Sequence, residues 1–221
     1  MLRLSVHRFL VTALLVAAAT RPLALESRLN AASLQDALGI GQSRVASVRE
    51  RFHRPYRINV GRGPIDFIEI VTPFRRVVMA AEEQARLGNR FFGQREAIAT
   101  LAPSPSDVDI VIELTFHPLN NYVGVPSYDV QLISRRARTP AASPRTIERM
   151  PRFGPRVPGT APPSTGPQAA NPPGGSLPLV GGSVTAKVDG TRLDPRGVYD
   201  VLVLDGRTTV LEFTIDLTPL R

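Results

Sequence analysis

The chain has 221 residues, with 27 Lys and Arg against 19 Asp and Glu, a formal charge of +8, 21 prolines and no cysteine. Without cysteine there is no disulfide framework, no thiolate metal site and no lipid attachment at a cysteine. The positive charge would imply nucleic acid or an anionic surface if it lay on the folded part. Instead, residues 58–134 hold six Arg against nine acids and residues 157–221 hold five basic residues against six acids, whereas residues 135–156 hold seven Arg against Glu148 alone.

The first residues have the three parts of a secretory signal: a basic start (Arg3, His7, Arg8), an apolar run from Phe9 to Ala19, and small residues at Ala17 and Ala19. Residues 1–24 are therefore expected to be a signal peptide and the mature chain to be periplasmic or extracellular. The apolar run is about half the ~20 residues a spanning helix needs, and no later run is longer, so no transmembrane helix is expected after cleavage.

Residues 25–55 read as a polar lead-in. Val45, Val48 and Phe52 fall on one helical face after Ser43, and Pro55 stops the turn, which gives a short basic helix. From Tyr56 the period changes to two. "YRINV" and "IDFIEIV" form two strands around Gly61 to Pro64. A helix is predicted next, with Thr72 as its cap, Pro73 at its first position and Gly88 at its end. Its apolar stripe is Phe74, Val77, Val78, Ala81 and Ala85, with Arg75, Glu82 and Arg86 on the opposite side, and the spacing expects the alanines to pack on a sheet. A second short helix follows from about Gln94 to Leu101, so the helical insertion covers about 73–101.

Strands resume in "DVDIVIELTF", where Val108, Ile110, Ile112, Leu114 and Phe116 alternate with Asp107, Asp109, Val111, Glu113 and Thr115. "YDVQLIS", "SVTAKVD", "VYDVLVL" and "TTVLEFTIDL" complete a set of seven, the last two joined at Asp205 and Gly206 in a tight hairpin. Residues 135–182 hold eleven of the prolines and show neither period, which reads as an internal disordered loop of polyproline II character. The piece after it is too short to fold alone without cysteine, so it must complete the sheet begun upstream. The expected fold is mainly β: one domain over 56–221, an antiparallel β-sandwich of immunoglobulin-like size with about seven strands. The Cys and Trp hallmarks of antibody domains are absent.

Candidate chemistry is sparse. On an extended strand Asp107 and Asp109 stand about 6.5–7 Å apart, the spacing of an inverting glycosidase pair. A strand with one solvated face produces the same alternation without chemistry. His53 and His117 lack ligand spacing, so neither metal nor cofactor is expected. His117 with Ser127 or Asp129 is a weaker catalytic pairing. Asn120, Asn121, Tyr122 and Tyr128 supply hydrogen bonding and rigid aromatic contact suited to recognition. Arg135, Arg136, Arg138, Arg149 and Arg152 could hold an anionic envelope component. Phe153 is the only ring among them, which excludes a stacking groove and hence specific nucleic-acid binding. The expected function is an exported, non-enzymatic binding or structural module for a protein or anionic envelope partner. The alternatives are a secreted hydrolase acting through the 107–116 strand and an accessory subunit of an envelope complex.

Overall fold

The computed structural model describes residues 24–89, 91–117, 122–154 and 177–221. These residues form four α-helices, α1 (Ala31–Gly41), α2 (Ala46–His53), α3 (Pro73–Arg86) and α4 (Gln94–Leu101). The nine strands are β1 (Arg57–Arg62), β2 (Ile65–Val71), β3 (Asp107–Thr115), β4 (Tyr128–Ser134), β5 (Pro140–Ala142), β6 (Thr146–Phe153), β7 (Leu179–Asp189), β8 (Val198–Asp205) and β9 (Thr208–Asp216).

The strands form two antiparallel sheets, β1-β2-β3-β7-β6 (sheet A) and β5-β4-β8-β9 (sheet B). Every strand from the sequence reading is present, and their inward faces share one apolar core. Ile68, Ile110, Ile112, Leu114 and Val184 of sheet A bury with Val130, Leu132, Val201 and Val203 of sheet B. Fully burying each such side chain contributes about 1.5–3 kcal/mol. The β8–β9 hairpin turns on two residues, Gly206 and Arg207. Gly206 takes φ +58, a left-handed value that an ordinary side chain would strain.

Two strands lie where no strand period was visible. β5 and β6 occupy 140–153 and β7 begins at Leu179, so the predicted loop over 135–182 is interrupted by strands at both ends; its middle, 155–176, lies outside the described residues. β6 conceals itself because it is an edge strand whose residues are mostly exposed, which removes apolar alternation and tolerates Pro151.

The predicted α3 has its expected ends: Thr72 Oγ1 accepts from the Arg75 amide at 3.1 Å and Gly88 takes φ +76. Its packing differs from expectation. Phe74, Val77, Val78 and Ala81 bury with Leu34, Ala37 and Leu38 of α1 and with Ala97 and Leu101 of α4, making a second apolar core rather than an alanine face on a sheet. Ala85 is exposed, and Arg75, expected on the solvent side, is only 3% exposed. The apolar stripe is covered by α1, whose Asn30 cap accepts from the Ser33 amide at 2.9 Å, while Arg75 is covered by Glu69 of β2, His53 of α2 and Tyr56. Phe52 packs against both cores and links them.

α1 approaches α3 through Gly41. A β-carbon there would stand 2.4 Å from the Val78 carbonyl oxygen and 2.7 Å from Ala81 Cβ. Gly41→Ala is therefore expected to push the helices apart and cost about 1–3 kcal/mol in urea denaturation. An unchanged midpoint would show that the helices are not in such close contact.

Candidate functional site: a charged cleft between helices and sheet

α2 presents Ser47, Glu50 and Arg51 at helical spacing, the turn after it adds Arg54, and α3 presents Arg75, Met79, Glu82 and Arg86. Between them lie Arg57 and Asn59 of β1 and Glu69 of β2, which point outward because Ile58, Ile68 and Ile70 point into the sandwich core. These residues line a cleft of about 1130 Å³.

A chain of polar contacts forms its wall. Arg75 Nη2 lies 3.3 Å from Glu69 Oε2. Arg75 Nη1 donates to the Ile70 carbonyl at 2.8 Å, and its Nε–H donates to His53 Nδ1 at 3.3 Å. Because Nδ1 accepts, the ring proton sits on Nε2, which donates to Glu82 Oε2 at 3.0 Å. Glu82 Oε1 accepts from Arg49 Nε at 2.9 Å. Burial pulls the Arg75 pKa down while Glu69 pushes it back, and a guanidinium remains charged throughout. Burial also raises the pKa of Tyr56, whose ring lies 5.1 Å from that guanidinium.

The chemistry follows from this arrangement. Both His53 nitrogens are engaged, so the ring has no free lone pair to activate Ser47 as a nucleophile. A buried guanidinium linked to partly exposed partners that satisfy one another gives an ordered wall suited to binding.

The residues expected from sequence are scattered. Asn120 and Asn121 lie outside the described residues. Tyr122, 43% exposed, stacks on Phe116 with ring centroids 4.6 Å apart. Tyr128 is buried, and its phenol is pushed up to about 12, chiefly by desolvation. Arg135 pairs with Asp200 at 2.9 Å at the other end of β4, about 20 Å away at ~3.3 Å per residue. Arg136 and Arg138 are exposed in the turn that follows, Arg138 with φ 52. Arg149 donates to the Tyr128 carbonyl at 2.9 Å, while Arg152 pairs with Glu113 and donates to the Leu114 carbonyl at 2.9 Å. These two arginines hold strands together. Of the nine residues, no common surface collects the seven that are described.

The acids of β3 are not a wet face. Asp107 is 7% exposed and pairs with Arg145 at 3.3 Å, and Asp109 Oδ2 accepts from Arg76 Nη2 at 2.9 Å. Oδ1 of Asp109 is buried without a hydrogen-bond partner among the described residues. Desolvation raises the Asp109 pKa against the pull of Arg76 and Lys187. A raised native pKa means the folded chain holds this proton more tightly than the unfolded one. The stability it contributes is full below the unfolded value and is lost as pH rises through the folded value. In urea denaturation, Asp109→Asn is expected to gain on the natural chain as pH rises from about 4 towards 7. A difference independent of pH would contradict the shift.

Sequence reasoning missed the cleft because His53 of α2 and Glu69 of β2 meet Arg75 and Glu82 of α3 across three elements, and no spacing rule links those elements. The signal that was present is the i, i+3, i+4, i+7 pattern of Leu34, Ala37, Leu38 and Gly41, which would have identified α1 and the buried side of α3. Among the described residues no helix is long and apolar enough to cross a membrane, and no group of three or more His, Asp or Glu is placed to hold a metal. The fold and cleft define a class: a mainly β protein of two antiparallel sheets with a helical layer bearing a charged cleft. Comparison with protein-family models, with curated proteins and with solved structures finds no match for this chain.

Proposed function

We propose that the chain is an exported, non-enzymatic binding module whose protein or anionic envelope partner seats in the cleft between α2, α3 and the outer face of sheet A. The observation that supports this reading is the combination of a wall of mutually satisfied charges with exposed guanidinium groups at its mouth. Such a wall offers shape and fixed dipoles to a partner without a nucleophile and base poised together. The basic start and apolar run of residues 1–24 support export to a periplasmic or extracellular location.

A second reading, a hydrolase acting through β3, draws on the raised pKa of Asp109, since a general acid needs that property. Arg76 and Arg145 already neutralise Asp109 and Asp107, and neither acid lines the cleft, so binding remains the better supported function.

A photo-crosslinking residue in place of Asn59, on the cleft floor, tests the proposal in cells that export the chain. The same residue in place of Glu212, exposed on sheet B, is the control. A discrete adduct from position 59 only is expected. Equal adducts from both positions, or none from position 59, would overturn the cleft as the binding surface.

A further inference from the structure

The cleft has more cations than carboxylates to meet them. Arg57 and Glu69 are paired across β1 and β2, yet the Glu69 carboxylate goes to Arg75. Glu82 is taken by Arg49 and His53, and Glu83 by Arg86 at 2.6 Å. Arg51, Arg54 and Arg57 form no ion pair among the described residues, and the remaining carboxylate of the lining is Glu50. Three guanidinium groups therefore face one free carboxylate. Arg57 adds like-charge repulsion at the buried Arg75.

Arg57 is also held in place. Its guanidinium lies 3.6 Å from the centre of the Phe67 ring, so one face is covered while the N–H groups around its edge stay available. Arg51 lies in the last turn of α2, Arg54 in the short turn after it and Arg57 at the start of β1, and all three line the cleft.

Resting on the binding role assigned to this cleft, we propose that its rim holds a phosphate group on Arg51, Arg54 and Arg57, presented either by a soluble phosphate ligand or by an anionic lipid headgroup. A dianionic phosphate offsets more than one guanidinium and accepts several N–H bonds at once, whereas a single carboxylate offsets one. The cleft, at about 1130 Å³, is larger than a bare anion needs, which leaves room for the body of the molecule that bears it.

Two probes separate the sources. The full chain is titrated calorimetrically with inorganic phosphate, and separately sedimented with vesicles of phosphatidic acid, whose phosphomonoester can reach the dianion, and phosphatidylcholine, at low and at moderate salt. Saturable binding to at least one probe is expected, weakening as salt shortens the Debye length to about 10 Å. Arg57→Gln and Arg54→Gln should each lower affinity about tenfold, since losing one charge-assisted hydrogen bond is worth about that factor. Arg207→Gln, exposed on the β8–β9 hairpin, should leave it unchanged. Melting curves confirm that the variants fold, and Arg54, exposed and unstacked, provides the test if Arg57→Gln does not. Binding to phosphate alone assigns a soluble ligand, and binding to the vesicles alone assigns a headgroup. Binding of neither probe, or an equal loss in Arg207→Gln, overturns the proposal. A position-59 adduct that persists when neither probe binds would refute the phosphate class while leaving the cleft as the binding surface.

Discussion

Replacing Arg75 with methionine is expected to lower the unfolding free energy by about 3–5 kcal/mol, the usual cost of removing one partner from a buried ion pair. The loss has three sources in the structure. Glu69 is left beside an apolar side chain, the Ile70 carbonyl loses a donor at 2.8 Å, and His53 Nδ1 loses its own at 3.3 Å. Adding Glu69→Leu should recover part of this, because the stranded carboxylate goes, but not all, because the Ile70 carbonyl stays unpaired at about 1–3 kcal/mol. Urea denaturation of the two single variants and the double one gives the coupling directly. A cost below about 1 kcal/mol for Arg75→Met would place that guanidinium in solvent and dissolve the cleft wall.

Phe74→Ala should cost a similar amount, about 3–5 kcal/mol. Phe74 is fully buried in the helical core, its ring centroid lies 5.7 Å from that of Phe52, and the Arg221 guanidinium sits 4.2 Å above it. Its removal empties the junction between the helical layer and the sandwich. Hydrogen exchange in α1 and α3 should then speed up before that in β3, whose core residues Ile110 and Ile112 make no use of Phe74. Uniform acceleration across β3 and α3 would mean instead that the two cores unfold as one unit.

Local signals read well where one face meets one core. In β3 and β9 the period of two was visible because one row of side chains enters the sandwich, and the Thr72, Pro73 and Gly88 signals located both ends of α3. They failed where a second body covers what looks like a solvent face. Arg75 appears exposed on a helical wheel, but Glu69 of β2, His53 of α2 and the Tyr56 ring close over it. Asp107 and Asp109 look wet by alternation, but Arg76 from α3 and Arg145 ahead of β6 cover them. The same reasoning explains β6, where proline and arginine on an edge strand imitate a loop. The cleft was illegible because its charges converge from α2, α3, β1 and β2, and no interval in the chain encodes that convergence.

His53 contacts both Arg75 and Glu82, and this bridge ties α2 to α3 and shapes the cleft. Nitrogen-15 chemical shifts of the His53 ring in the full chain test it directly. The account predicts an unprotonated Nδ1 that accepts from Arg75 and a protonated Nε2, with both signals moving in Arg75→Met. A ring carrying its proton on Nδ1, or one indifferent to the loss of Arg75, would contradict it.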